Sequence, residues 1–219
     1  LTIELYRIYK RVRPDVILHY TIKPNIYGTI AASRLNIPAI NNVCGLGTAF
    51  LKENLISKIA IALYKFAFRF PKLIYFQNND DRQFFVESKI VKADKLDVLP
   101  GSGVDLTKFV PSSEGPEKKP FTFLLVSRLI HDKGVVEYIE AIKLLRKRGV
   151  DARFEILGQI DEEHVRAIPK ELIDQWIDSG IVDYLGTTDD VRPYLNNSDC
   201  VVLPSYREGT PKSLIEAAS

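Results

Sequence analysis

The chain has no methionine, one tryptophan, three histidines and two cysteines in 219 residues. Cys44 and Cys200 lie far apart in apolar contexts. They cannot build a disulfide framework or a thiolate-rich metal site, and read as buried thiols of a reducing compartment. No Asp-x-Asp occurs, so the usual carboxylate pair for holding a divalent ion against a diphosphate is missing and no metal is expected. No secretory signal is visible and no apolar run is long and uncharged enough to span a bilayer. The expected location is cytoplasmic, with a peripheral place on the cytoplasmic face of a membrane as the variant. Charge of one sign is also lacking: Lys+Arg 30 against Asp+Glu 28 leaves +2, which makes no case for nucleic acid. Methionine is missing even at position 1, and the chain stops at Ser219, shortly after Glu216 in a helical pattern. Both facts read as an internal fragment of a longer protein.

What is present is ordinary globular material, 46% hydrophobic and 26% charged, enough for one or two domains. Leu1–Arg13 sets Ile3, Tyr6, Ile8, Tyr9 and Val12 at helical spacing, with basic residues late, where the helix dipole favours them. Val16–Tyr20 predicts a strand, Asn25–Leu35 a helix, Pro38–Val43 and Lys72–Phe76 strands. Asn78–Asp81 can cap the next helix, and Leu96–Pro100 closes this series. A second series runs from strand Phe121–Val126 through a helix to Arg148, strand Phe154–Gln159, a helix holding Trp176, and strand Val182–Gly186. A short helix within Thr187–Asn197 then carries Asp189, Asp190, Val191 and Tyr194, and a buried strand starts at Val201. Alternating strands and helices imply parallel pairing and an α/β fold. The polar, Pro-rich run Pro111–Pro120 reads as a linker. The expected division is a partial domain over 1–105, a linker over 106–120 and a partial domain over 121–219.

The most informative stretch runs from Val201 to Glu216. An apolar strand ends at Pro204, a polar loop holds Glu208 and Gly209, and a helix starts with Thr210 as N-cap and Pro211 at its first position. A helix start presents unpaired N–H groups and a positive dipole end, which suit phosphate, and Gly209 permits close backbone approach. Glu208 and Glu216, with seven residues between them, repel phosphate but accept hydrogen bonds from sugar hydroxyls on either side of a diphosphate. The combination points to a nucleotide-sugar. Arg128 and Lys133 flank another strand-to-helix loop, where cations can stabilise the charge that builds on a departing diphosphate.

The string Leu203-Pro204-Ser205, followed by Glu208-Gly209-x-Pro211-x-x-Leu214-x-Glu216-Ala217, resembles that of retaining glycosyltransferases of the GT-B fold, the large family 4 group. Arg128 with Lys133-Gly134, and Gly103-Val104-Asp105 with Phe109 and Pro111, fit the same pattern. The resemblance implies two Rossmann-like parallel-sheet domains facing a cleft, the first on the acceptor side and the second binding the donor. It implies a retaining, metal-independent transfer from a nucleotide-sugar, with a UDP-sugar expected. Arg128 and Lys133 would neutralise the diphosphate. Glu208 would bind the donor sugar and Glu216 the ribose. Gly209, Thr210, Ser213 and Leu214 would complete the donor site with backbone N–H or hydroxyl groups. Thr21-Ile22-Lys23-Pro24-Asn25 with Gly45-Leu46-Gly47 looks like the subgroup acting on polyprenyl-diphosphate-linked sugars in glycan assembly. Many relatives carry a His before that Gly-Leu-Gly. Cys44 stands here, so no catalytic His carries over. A nucleotide-sugar epimerase of the same fold and a non-catalytic nucleotide-sugar binder stay as alternatives.

Four stretches keep two readings each. Gly45 and Gly47 form either an acceptor-side loop or a plain turn. Glu53–Phe70 is a basic amphipathic helix that either lies on an anionic membrane surface or faces the core with a solvated basic side. Asp161-Glu162-Glu163-His164 is either a metal cluster or, as favoured, an acidic helix N-terminus. His19, at a strand end, either reaches the acceptor side or is a packed histidine.

Overall fold

The computed structural model describes residues 1–46, 55–111 and 120–219. They form two compact units: Leu1–Ser102 with Arg207–Thr210, and Gly103–Tyr206 with Pro211–Ser219. Gly47, the first residues of the Glu53–Phe70 stretch and residues 112–119 of the expected linker lie outside the described residues.

In the first unit, β1 (Ile17–Tyr20), β2 (Ala39–Val43), β3 (Leu73–Phe76) and β4 (Leu96–Val98) pair in parallel in chain order. Helix α1 (Thr2–Val12) ends where Arg13 turns left-handed. The helix expected from Asn25 begins instead as a π-helical turn over Pro24–Gly28 and continues as α2 (Thr29–Ser33). Gly28 lies against the His19 ring: a Cβ there would come 2.5 Å from Nε2. Helix α3 spans Leu55–Ala67 and α4 spans Asn79–Glu87. The Asn78 cap forms as expected, its Oδ1 accepting the Asp81 N–H at 2.7 Å. Tyr64 and Phe68 of the α3 side, Phe76 of β3 and Phe85 of α4 are fully buried, with ring centroids 4.7–5.2 Å apart in edge-on pairs. Each such ring contributes about 2 kcal/mol by burial, which fixes both helices on the sheet.

Helix α3 is only partly a core helix. It buries Ala60, Tyr64 and Ala67 and leaves Leu55, Ile59 and Phe66 exposed, so its outer side is apolar as well as basic. Among the described residues no helix is long and apolar enough to cross a membrane.

In the second unit, β5 (Phe121–Val126), β6 (Ala152–Leu157), β7 (Asp183–Tyr184) and β8 (Cys200–Val201) pair in parallel in the order β7-β6-β5-β8. Helices are α5 (Val135–Lys147), α6 (Lys170–Asp178), α7 (Arg192–Asn196) and α8 (Lys212–Ala218). Leu125, Ile139, Ile142, Phe154, Ile156 and Trp176 form the core. Phe123 and Phe154 face each other across β5 and β6 and stack at 5.4 Å.

Three local expectations change. Asp161–His164 forms turns rather than a helix start, and α6 begins only at Lys170. Pro169 explains this, because a proline disfavours helical backbone in the residue before it. Asp189, Asp190 and Val191 precede α7, and only Tyr194 lies on it. The strand expected from Val201 is the two-residue β8, half-buried and bonded to β5 alone among the described strands.

Candidate functional site

The strand order of the second unit reverses between β5 and β8. The chain builds β6 and β7 on one side of β5, then returns to set β8 on the other. Open parallel sheets bind ligands beyond strand carboxyl ends at such a switch point. Two loops leave it, Ser127–Gly134 after β5 and Val202–Tyr206 after β8. Gly134 has φ +71°, and a Cβ on it would lie 2.1 Å from the Pro204 carbonyl oxygen, so the two loops touch backbone to backbone. Tyr206 donates its N–H to the Asp132 carbonyl at 3.1 Å. Its hydroxyl donates to Glu137 of α5, which raises the phenol pKa.

Arg128 is in this β5 loop, half-exposed, with Nη1 3.4 Å from Asp161 Oδ2. A contact at that distance and exposure holds the guanidinium weakly, leaving it available to a stronger anion. Lys133 ends the 3₁₀ turn His131–Lys133. Asp132 Oδ1 accepts from Arg166 Nε at 3.1 Å, and Arg166 Nη2 lies 3.0 Å from it as an ion pair. Asp132 Oδ2 and Ser205 Oγ are buried with no hydrogen-bond partner among the described residues. Unsatisfied buried polar atoms are uncommon, and besides Asn25 Oδ1 of the first unit these two lie in the loops of the switch point.

Helix α8 supplies Ser213, Leu214 and Glu216. The Leu214 N–H is bonded to the Pro211 carbonyl at 3.2 Å, so of these backbone groups it is not a free donor. Glu216 is largely buried, pairs with Lys212 at 3.2 Å, and lines a cavity of about 630 Å³ with Phe109, Asp190 and Arg192. Arg192 donates Nε and Nη2 to Asp190 at 2.8 Å each, which holds that carboxyl below its usual pKa range.

Glu208, Gly209 and Thr210 belong to the first unit, with Arg207. Arg207 donates Nε and Nη2 to Oδ1 of the buried Asp81 at 3.1 and 2.7 Å. Asn78 Nδ2 lies 3.2 Å from both the Glu208 and the Gly209 carbonyl oxygens. Gln77 Oε1 accepts the Thr210 N–H at 3.0 Å, and the Thr210 hydroxyl donates to the Gln77 carbonyl at 3.3 Å. A Cβ on Gly209 would come 2.3 Å from Gln77 Oε1 and 2.4 Å from the Cys44 carbonyl oxygen. Gly45, with φ +128°, lies against the Gly209 backbone. The structure thus brings Gly45 together with Glu208, Gly209 and Thr210. Thr210 is not the helix cap: Pro211 holds that place and α8 starts at Lys212. The reason is that both Thr210 polar groups are bonded to Gln77, and Pro211 keeps Thr210 extended.

His19 takes the packed alternative. It is 3% exposed. Nε2 is 3.0 Å from the Tyr9 hydroxyl and Nδ1 is 2.9 Å from Asn41 Oδ1. Burial lowers its pKa, and the Asn41 bond partly opposes the shift. In the Asp161–His164 run, Asp161 faces Arg128 and His164 Nδ1 accepts the Arg166 N–H at 3.1 Å. Among the described residues no three His, Cys, Asp or Glu side chains are grouped to hold a metal.

Gln77, Asp81 and Arg207 were not singled out by sequence as site residues. Asn78 and Asp81 read only as a helix cap. The available signal is position: the polar run Gln77–Asp81 follows directly on the carboxyl end of a parallel strand, where ligand loops gather.

Residues 107–219, just over half of the chain, match the family described as glycosyl transferases group 1, and residues 1–78 match glycosyl transferase 4-like. The chain belongs to the glycosyl transferases group 1. It is 33% identical, over 97% of its length, to N,N'-diacetylbacillosaminyl-diphospho-undecaprenol alpha-1,3-N-acetylgalactosaminyltransferase of Campylobacter jejuni. It is 28% identical, over 99% of its length, to UDP-Gal:alpha-D-GlcNAc-diphosphoundecaprenol alpha-1,3-galactosyltransferase of Escherichia coli. The chain spans 58% of the length of each. The crystal structure of Anabaena Alr3699/HepE with UDP-glucose superposes with a TM-score of 0.76 at 20% identity, over 99% of this chain and 60% of that one. The expected α/β class with two Rossmann-like parallel sheets of GT-B type is therefore the observed fold.

Proposed function

We propose that the protein is a retaining, metal-independent glycosyltransferase. It moves a sugar from a UDP-sugar to a polyprenyl-diphosphate-linked glycan, at the cytoplasmic face of a membrane. The observation that carries this reading is the switch point of the second sheet. Its β5 loop carries Arg128 and Lys133, and the β8 loop that touches it leads to the chain that bears Glu208 and Glu216. In the transfer, the anomeric carbon–oxygen bond to the diphosphate breaks as the acceptor hydroxyl oxygen bonds that carbon on the same face, and the hydroxyl proton passes to the departing diphosphate oxygen. Arg128 and Lys133 neutralise the charge left on the diphosphate, in place of a metal ion. Glu216 accepts hydrogen bonds from the ribose and Glu208 from the donor sugar. Gly209, Thr210, Ser213 and Leu214 line the donor, and the Gly45–Gly47 loop serves the acceptor. Two relatives whose names specify transfer to undecaprenol-diphosphate-linked sugars support the acceptor class. The UDP-glucose bound in the HepE structure supports the donor class. The exposed apolar and basic side of α3 suits a membrane surface near such an acceptor.

The test incubates the full-length protein with UDP- and GDP-sugars and a polyprenyl-diphosphate-sugar acceptor, with and without EDTA, and follows product by mass spectrometry. Transfer from one donor, unaffected by EDTA and lost in Arg128→Ala, Lys133→Ala and Glu208→Ala, supports the reading. Nucleotide-sugar binding without transfer would favour a non-catalytic binder, and loss of all donor binding would remove the reading of Pro204–Glu216.

A further inference from the structure

A second concentration of charge lies at the amino ends of β3 and β4 in the first sheet. The C-terminal end of α3 leads into β3, and the end of α4 leads through a 3₁₀ turn (Ala93–Lys95) into β4. These connections sit at the amino ends of the strands, away from the carboxyl ends that carry Cys44, Gly45 and Gln77. There they enclose a pocket of about 600 Å³ whose lining includes Lys65, Arg69, Lys89, Lys92 and Lys95, against the single carboxylate of Asp94. Among the described residues none of these five cations makes an ion pair, and Lys95 Nζ reaches only the Arg69 carbonyl at 3.3 Å. Lys89 closes α4 with φ +52°, a conformation in which glycine costs less. A lysine there accepts backbone strain and adds to the charge of the pocket.

The pocket borders the exposed side of α3. Leu55, Ile59 and Phe66 fall on one stripe at helical spacing, and Phe70 follows in the next turn, 72%, 52%, 45% and 44% exposed. Lys58, Lys65 and Arg69 run along one edge of that stripe, the edge that leads to the pocket. An apolar stripe bordered by cations suits a helix lying in the plane of a bilayer interface, its apolar side chains among acyl chains and its basic edge at the phosphates.

We infer that the pocket between the α3 end and the α4–β4 connection binds phosphate headgroups of anionic phospholipids and holds α3 against the membrane. Charge complementarity commits it to this occupant: five cations converge on one cavity, with apolar side chains beside it for the acyl chains. It rests on the membrane part of the function proposed above and adds a site remote from the strand ends that serve transfer.

The experiment measures co-sedimentation of the full-length protein with vesicles of phosphatidylcholine alone or mixed with phosphatidylglycerol. Binding is expected only to the anionic vesicles and is expected to fall with salt. Lys89→Gln/Lys92→Gln/Lys95→Gln should weaken partition about 100-fold, at roughly fivefold per charge, and the three Lys→Arg changes should retain it. Ile59→Ser/Phe66→Ser should also weaken it, whereas Glu208→Gln should leave it unchanged. Parent-like binding by the triple Gln variant overturns the pocket while leaving the membrane reading in place. Displacement from vesicles by inorganic phosphate overturns it in favour of a soluble anion site. Failure of the parent to bind anionic vesicles overturns both the pocket and the membrane reading. Sugar transfer, measured separately, does not enter any of these outcomes.

Discussion

Asp81 and Arg207 form a buried ion pair across 126 positions of sequence, with both Arg207 donors on one carboxylate oxygen. The Asp81 side chain is 2% exposed and that of Arg207 25%. Arg207 precedes Glu208, so the pair sets where the Glu208 backbone runs, and the Asn78 amide at the Glu208 and Gly209 carbonyls supports it. Removing one partner of a buried pair strands the other charge. Asp81→Ala is expected to lower stability by about 3 kcal/mol in urea denaturation. Asp81→Asn keeps the shape and removes the charge. It should raise the donor KM and lower kcat together, as a positioning residue does. Asp81→Asn/Arg207→Met should recover part of the stability without recovering transfer, and full recovery of transfer would refute the positioning role.

Gly209 tests the close packing of the same loop. Its added Cβ would meet Gln77 Oε1 and the Cys44 carbonyl at once, and only the first can move aside. Gly209→Ala should therefore displace Glu208, with transfer reduced at least about 100-fold if that displacement reaches 1 Å. A parent-like kcat/KM would show that the Glu208 position is not set here.

Gly134→Ala tests the switch point itself. It combines φ +71° with a Cβ 2.1 Å from a carbonyl oxygen, so both strain and overlap apply. A loss of more than about 2 kcal/mol is expected by urea denaturation. UDP-sugar affinity should fall as well, because the Arg128 loop and the Pro204 loop lose their contact. Calorimetric titration reads this directly.

The charges on the diphosphate give the next expectation. Arg128→Ala and Lys133→Ala should each lower kcat by about 100-fold to 1,000-fold with little loss of stability. Asp161→Asn, which removes the weak partner of Arg128, should leave kcat within about threefold. Steady-state kinetics with the full-length protein distinguishes the two behaviours.

His19 makes a pH signature. Its folded pKa lies below the ordinary value because burial disfavours the cation. Above about pH 6.5 the ring is neutral in both states and adds no pH dependence. Below that, the unfolded chain takes up a proton that the folded chain does not. Stability therefore falls as pH drops, by up to about 1.4 kcal/mol per pH unit, until the folded pKa is reached. Thermal melting from about pH 7.5 to about pH 5.5 should show this decline, and His19→Asn should flatten it.

Much of the fold is legible because its signals are local. Strands such as Phe121–Val126 are short apolar runs ended by polar loops, and Asn78 caps its helix with its own side chain. The Glu208–Glu216 string was likewise readable as one contiguous stretch. What escaped depends on partners distant in sequence. Nothing near Asp81 marks it as the counter-ion of Arg207, and nothing near Thr210 shows that Gln77 takes its capping groups. The length of β8 and the late start of α6 were missed because edge pairing and a downstream proline overrode the local pattern. The basic pocket escaped because its lysines come from two connections, each of which reads alone as a solvated turn.

The polar cluster beneath the π-helical turn has a consequence for how this chain can change. His19, Asn41 and Thr29 bond one another, Asn41 Nδ2 donates to the Asn25 carbonyl and Asn25 Nδ2 to the Asn42 carbonyl. Replacing His19, Asn41 or Thr29 alone leaves a buried donor or acceptor without a partner, a loss of about 1–3 kcal/mol, whereas replacing the linked set by apolar groups of similar shape can be nearly neutral. Every single step from one arrangement to the other is therefore uphill. The cluster constrains substitution as a unit: these positions are expected to change together or not at all, and a designer who alters one inherits the obligation to alter its neighbours.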